Sequence, residues 1–199
     1  MAFFQHAQFF VTVDDWGGLP PDTGLEVAFA GRSNAGKSSA INTLANRSRL
    51  AFTSKTPGRT QHINFFHLGD QRFLVDLPGY GYAQVPQSVK RHWQQLLSDY
   101  LVHRNSLKGL VVLMDIRHPL TDLDRQLIAW YLPSGKPMVV LLTKSDKLGR
   151  GARLEAVRGV RDALAGAKQS IEIIAFSSMT REGLETAEAA IARLYEPSP

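Results

Sequence analysis

Short apolar runs recur along the chain, separated by segments whose apolar residues fall three or four positions apart. The runs are "EVAFA" (26–30), "INFFHL" (63–68), "RFLVD" (72–76), "LVVLMD" (110–115), "MVVLLT" (138–143) and "IEIIAF" (171–176). Several are apolar throughout, as expected of strands covered on both faces. Helical spacing follows Lys37 to about Asn46, and again in "SVKRHWQQLLSDYLVHR" through Trp93, Leu96, Leu97, Tyr100 and Leu101. In "TDLDRQLIAWYL", Leu123, Leu127, Ile128 and Tyr131 make one face, with Thr121 placed to cap the start. Residues 152–165 and 181–195 repeat the pattern. The alternation predicts a three-layer α/β fold, a mostly parallel six-stranded sheet flanked by helices. Residues 1–24 read as an N-terminal extension packed on a domain of residues 25–199. The stretches from Arg47 to Gln61 and "GYGYAQVPQ" (79–87) have no period and read as loops. Two loops of that length in one compact domain suggest function.

Composition narrows the class. The 199 residues are 44% hydrophobic and 21% charged, as in an ordinary globular domain. No apolar run is long enough to span a bilayer. "MAFFQHAQFF" shows neither a basic leader nor a secretory cleavage pattern, so a cytoplasmic protein is expected, with a monomer as the default state. The absence of cysteine excludes disulfides, thiolate zinc sites and cysteine nucleophiles. The six histidines show no metal-ligand spacing. A net charge of +5 suits a phosphate-rich partner and equally suits a basic protein without one.

The first strand runs into "GRSNAGKSS". Gly31, Gly36, Lys37 and Ser38 complete G-x-x-x-x-G-K-[ST], the signature of a P-loop NTPase. Gly31 permits a sharp exit from the strand, and Gly36 lets backbone N–H groups approach phosphate oxygens. The following helix directs its positive end at the anion. Lys37 is placed for the β- and γ-phosphates, and the Ser38 hydroxyl for Mg²⁺. In "LVDLPGYG", Asp76 ends an apolar strand, where a carboxylate is costly without a task. Its expected task is to order Mg²⁺ through water, while Gly79 offers an N–H to the γ-phosphate. Thr60, in "SKTPGRTQ", is the candidate that closes on Mg²⁺ and the third phosphate, the behaviour of a switch. In "LLTKSDK", the Asp146 carboxylate can accept from guanine N1–H and its amine, and the Lys144 stem can lie along the base. "AFSS" (175–178) follows as a further base-contact loop.

"EVAFAGRSNAGKSS", "SKTPGRTQHINFF", "LVDLPGYGYA", "LTKSDK" and "FSS" occur in this order and cover nearly all of the chain from Leu25. In these strings the sequence resembles the EngB family (also YihA or YsxC), ribosome-assembly GTPases of the TrmE–Era–EngA–EngB–septin class. The resemblance implies a Ras-like G domain, GTP or GDP as ligand, Mg²⁺, and work on the large ribosomal subunit and its rRNA. It also implies a requirement for normal cell division and septation. Carried over by position, Gly31, Arg32, Ser33, Asn34, Ala35, Gly36, Lys37 and Ser38, with Ser39 beside them, hold the phosphates. Gly58, Arg59, Thr60, Gln61 and His62 form the loop sensing the third phosphate. Asp76, Leu77, Pro78 and Gly79 form the second switch. Thr143, Lys144, Ser145 and Asp146, with Phe176, Ser177 and Ser178, hold the base. The metal falls to Ser38, Thr60 and, through water, Asp76; catalysis falls to Lys37, Thr60 and Gly79. Thr143 stands where Asn is commoner in G domains. Thr is usual in this family, and the exchange is expected to loosen the tie between base loop and phosphate loop.

Tyr80 occupies the position where Ras-like enzymes carry the glutamine that orients water. A phenol is a poor replacement, so slow intrinsic turnover is expected, with a ribosomal particle completing the site. Asn34 has two open readings, as a K⁺ ligand that supplies the charge of an arginine finger or as a residue that shapes the loop. Arg32 and Arg59 are open likewise, between an internal finger and an RNA contact. Arg47, Arg49, Lys55, Arg59, Lys90, Arg91 and Arg117, with Tyr80, Tyr82, His92 and Trp93 nearby, either form an RNA-facing surface or are solvated charges, with Trp93 in the core. Two rival classes stand beside the switch: a non-hydrolysing nucleotide-dependent binding module and a P-loop small-molecule kinase.

Overall fold

The computed structural model describes residues 4–51, 62–80 and 87–196, the side chains of 87–90, 92 and 93 excepted. Along the chain run strands β1 (Gln8–Val13) and β2 (Leu25–Gly31), helix α1 (Lys37–Leu44), strands β3 (Ile63–Gly69) and β4 (Arg72–Asp76), and helix α2 (Gln87–His103). Then come β5 (Leu107–Asp115), α3 (Asp122–Tyr131), β6 (Met138–Thr143), α4 (Arg150–Leu164), β7 (Ile171–Ala175) and α5 (Leu184–Arg193). One sheet has the order β1-β3-β4-β2-β5-β6-β7. The neighbours β4, β2, β5, β6 and β7 are parallel, and β3 and β1 extend the sheet antiparallel.

Period-two alternation on the central strands builds two cores. Val27 and Phe29 of β2, Val111 and Leu113 of β5, and Val139 and Leu141 of β6 meet Ile41 of α1 and Ile191 of α5 on one face. Ala28, Val112 and Val140 point the other way, onto Leu96 and Tyr100 of α2, Ile128 of α3 and Val160 of α4. Both faces of the parallel strands are therefore covered, which is why their sequences read as unbroken apolar runs. Thr121 and Asp124 form a capping box at the start of α3.

The sheet has seven strands among the described residues, where the sequence pattern predicts six. The added one, β1, is an edge strand whose residues 8, 9, 10 and 12 are all exposed. Its register with β3 slips between Phe9 and Val11. An edge strand with an irregular register has no clean alternation to detect. Between β3 and β4, Asp70 (φ 46°) and Gln71 (φ 55°) both have positive φ, which matches the twist a tight hairpin requires.

At the end of the sheet where β2 begins lies a buried polar knot. The Glu26 carboxylate, 1% exposed, accepts from Tyr100 Oη at 2.7 Å, Ser106 Oγ at 2.8 Å and Arg104 Nη2 at 2.6 Å. Asp22 accepts from Ser106 N and Oγ, both at 2.7 Å, and from Asn105 N at 3.0 Å. Burial works against the Asp22 charge, yet these donors hold its carboxyl well below the usual range.

Candidate functional site

The parallel strands end at one edge of the sheet, and the site residues follow those ends, the place where open α/β sheets bind ligands. Gly31 closes β2 under the carbonyl of Leu113; a Cβ there would lie 2.9 Å from that oxygen, which explains the glycine. The chain then turns tightly, with Ala35 N donating to Arg32 O at 3.0 Å. Asn34 (φ 65°) and Gly36 (φ 90°) both lie in the left-handed region. This turn feeds directly into α1, whose first amide groups have no partner inside the helix and face any anion held by the loop. Ser38 is half-buried in that first turn, and Ser39 is exposed, its carbonyl accepting from Thr43 Oγ1 at 2.8 Å.

Asp76, 4% exposed, ends β4 and pairs with the Lys37 ammonium. The Lys37 cation, a buried carboxylate and the Ser38 hydroxyl thus share one corner. Among the described residues no three acidic or histidine groups converge as metal ligands. One carboxylate and one hydroxyl are a donor set suited to Mg²⁺ bound mostly through phosphates and water, not to an all-protein cage. Leu77 N donates to Phe29 O at 3.0 Å, carrying the chain past Pro78 and Gly79 toward the phosphate loop. Gly58, Arg59, Thr60 and Gln61 lie outside the described residues, as do Lys55 and Tyr82. His62 is half-buried, and its Nδ1 has no hydrogen-bond partner among the described residues.

Tyr80 is fixed at both ends. Its backbone bridges Arg32 in the phosphate loop, with Ser33 N donating to Tyr80 O at 3.0 Å and Tyr80 N donating to Gly31 O at 3.3 Å. Its phenol donates to Asp124 Oδ1 at 2.8 Å. Asp124 is a buried carboxylate that also accepts from Thr121 N and Oγ1, at 2.9 and 2.7 Å. Burial, then the neighbouring Asp124 charge, push the phenol well above its ordinary range, so it stays a neutral donor.

The base loop is tied to the phosphate loop more closely than the sequence leads one to expect. Thr143 Oγ1 lies 2.5 Å from Ala35 O and 3.0 Å from Met114 O. The shorter threonine still spans the gap, because β6 ends close under the glycine turn. Lys144 (φ 59°) sends its ammonium to Asn34 O at 2.8 Å and to Asp115 Oδ2 at 3.0 Å. Ser145 is fully buried, donating through N to Phe176 O at 3.1 Å and through Oγ to Glu182 Oε2 at 2.6 Å. Asp146 accepts from Ser177 Oγ at 2.7 Å. That hydroxyl, and then Lys147, hold its carboxyl below the usual range, so it remains an acceptor for N–H donors. Ser177 Oγ in turn accepts from the amides of Met179 and Thr180, both at 3.2 Å. Phe176 is buried and Ser178 half-buried at the loop's edge.

Three residues of this region escape the sequence reading: Asp115, Asp124 and Glu182. Asp115 carries the same signal as Asp76, a carboxylate ending an apolar strand. It accepts from Arg117 Nε at 2.9 Å and Nη2 at 2.6 Å besides Lys144, and Arg117 first among them keeps its carboxyl well below the usual range. Asp124 and Glu182 sit in polar segments and give no such signal.

Comparison with known proteins agrees with this geometry. A family model described as a 50S ribosome-binding GTPase matches residues 26–144. A protein named probable GTP-binding protein EngB from Methylobacillus flagellatus is 56% identical over 198 residues, covering 99% of this chain and 96% of its own. Its namesake from Escherichia coli O139:H28 is 56% identical over 182 residues, covering 92% and 87%. A crystal structure of a probable GTP-binding protein EngB superposes with a TM-score of 0.67 at 19% identity, covering 85% of this chain and 98% of that one. At that identity the superposition speaks for the fold alone, a P-loop G domain. A strand-helix turn built for phosphate, a loop with a fixed carboxylate beside it, and relatives matched over nearly their whole length place this chain in the EngB family of GTP-binding GTPases.

Proposed function

We propose that this GTPase is a switch in the assembly of the large ribosomal subunit, and through it is required for normal cell division and septation. One observation carries the reading: Lys37, Asp76, Thr143 and Asp146 lie at or just past the ends of three parallel strands, β2, β4 and β6, at a single sheet edge, so phosphate and base loops form one continuous site. The ribosomal half is supported by the description of the matched family model and by the exposed arginines 47, 49, 91 and 117, the last just past the end of β5. Exposed cations of this kind suit phosphate-rich RNA.

In this reading the loop of residues 31 to 38 and the Lys37 ammonium hold the phosphates of GTP. Ser38, Thr60 and, through water, Asp76 would hold Mg²⁺, which when bound would neutralise phosphate charge during hydrolysis. Asp146 accepts from guanine, and Lys144 lies along the base. Gly79 offers its amide to the third phosphate. Turnover by the protein alone is slow, because the Tyr80 phenol is engaged by Asp124 and does not orient water; the ribosomal particle completes the site. The left-handed backbone at Asn34 and the use of its carbonyl by Lys144 favour the loop-shaping reading of that residue.

Cosedimentation with large-subunit precursors, with a GTP analogue and with GDP, tests the proposal. Tighter binding with the analogue, weakening as salt rises, is expected. Failure to bind in either nucleotide state refutes it.

A further inference from the structure

At the end of β5, outside every motif that defines the site, Asp115 joins two cations that would otherwise repel. Lys144 Nζ and Arg117 Nη2 lie 3.0 and 2.6 Å from the same oxygen, Oδ2, and hence within about 5.6 Å of each other. The other oxygen, Oδ1, accepts from Arg117 Nε at 2.9 Å and Arg117 N at 3.1 Å. The carboxylate is 9% exposed, and its ladder neighbour across β5 and β6 is Thr143. Asp115 is thus fixed by its own strand, while Lys144 is not. Lys144 sits in the left-handed region, a conformation that costs a non-glycine residue energy and persists only where the surroundings enforce it. Two contacts enforce it at the ammonium, Asn34 O from the phosphate loop and Asp115 from β5.

We infer that Asp115 is a positioning residue for base recognition: through Lys144 it fixes the base-reading loop against the phosphate loop. Removing its charge leaves Lys144 and Arg117 adjacent without the carboxylate that joins them. The Lys144 stem then swings from the base plane, and Asp146, two residues on, loses its register. Arg117 is the secondary partner, since its side chain is 42% exposed and can be solvated where it stands. The inference rests on the assignment of Lys144 and Asp146 to the base.

The test measures binding of GDP, ADP and inorganic pyrophosphate to the wild-type chain and to Asp115→Asn and Arg117→Gln variants. Wild type that binds GDP and ADP equally removes the base-site assignment itself. Given a wild-type preference for GDP, Asp115→Asn is expected to weaken GDP about tenfold while pyrophosphate stays within about twofold. A purely structural role would weaken both ligands in proportion. Arg117→Gln is expected to stay within about twofold for GDP. Unchanged GDP affinity in Asp115→Asn overturns the inference and leaves the base site standing, as does an equal loss with Arg117→Gln. Should Asp115→Asn fail to fold, Lys144→Met keeps the stem and removes the ammonium. It is expected to show the same selective loss of GDP, and wild-type affinity in that variant overturns the inference too.

Discussion

Replacing Glu26 by Gln isolates the most deeply buried ion pair among the described residues. The glutamine keeps the volume, and its one carbonyl oxygen can still accept from either Tyr100 or Ser106, which bond different oxygens of Glu26. It removes the charge facing Arg104, a residue only 3% exposed, and turns an NH₂ group toward a guanidinium. Breaking a buried pair by deleting one partner typically costs about 3–5 kcal/mol. Asp22, 3.5 Å from Arg104 Nε and one-third exposed, offers partial compensation, which places the cost near the lower end, about 3 kcal/mol. For a chain of this length that corresponds to a drop of roughly 6–12 °C in melting temperature. Urea unfolding and thermal melts of the variant measure it. The informative control is Glu26→Gln combined with Arg104→Met, which removes both charges and should recover at least about 1 kcal/mol, since an unpaired buried charge costs more than none. GDP affinity should not change in either variant, because the knot lies where β2 begins and the phosphate loop where it ends. A loss below about 1 kcal/mol for the single variant, or a double variant as unstable as the sum of the two single changes, would refute the reasoning.

Three further outcomes are expected. Tyr80→Phe should leave the GTP turnover number within about twofold and cost about 1 kcal/mol of stability, as Asp124 loses one donor; a large fall in turnover would assign the phenol to the chemistry instead. Thr143→Val deletes the hydroxyl that ties the base loop to Ala35 O, and should weaken GDP several-fold, read by calorimetry, with the carbonyl left short of a donor. The carboxyls of Asp22 and Asp115 are both depressed in the folded state, so the stability they confer is present above about pH 4, the unfolded value, and is lost as pH falls toward their folded values. Urea midpoints between pH 5 and pH 2 should therefore decline more gently for a variant with Asn at both positions than for wild type, and parallel slopes would count against the assignment.

Most of the parallel sheet is legible in the sequence because burial on both faces leaves its strands uniformly apolar. Asp76 stands out for the same reason, as a carboxylate ending such a run. That logic extends to Asp115, and only the lack of a named motif there hides it. β1 is hard to read, since its exposed aromatics and shifted register break the period. Tyr80 shows a different limit. Its poor fitness for orienting water is visible from residue type, but its capture by Asp124 depends on a helix that begins more than forty residues later. Thr143 is the instructive miss. Residue size suggests a looser loop, whereas the distance to Ala35 is set by how closely β6 runs beneath the glycine turn.

The strand order has a consequence for synthesis. Glu26 of β2 pairs with Leu107 of β5, so the centre of the sheet cannot close until more than half of the polypeptide has left the ribosome. Phe9 must wait for Phe66. The β3–β4 hairpin, by contrast, needs only its own two-residue turn. Local pairing is entropically cheap, and the hairpin is therefore the earliest piece of this sheet able to form, while β2 lies nearer along the chain to β4 than to β5, its other neighbour.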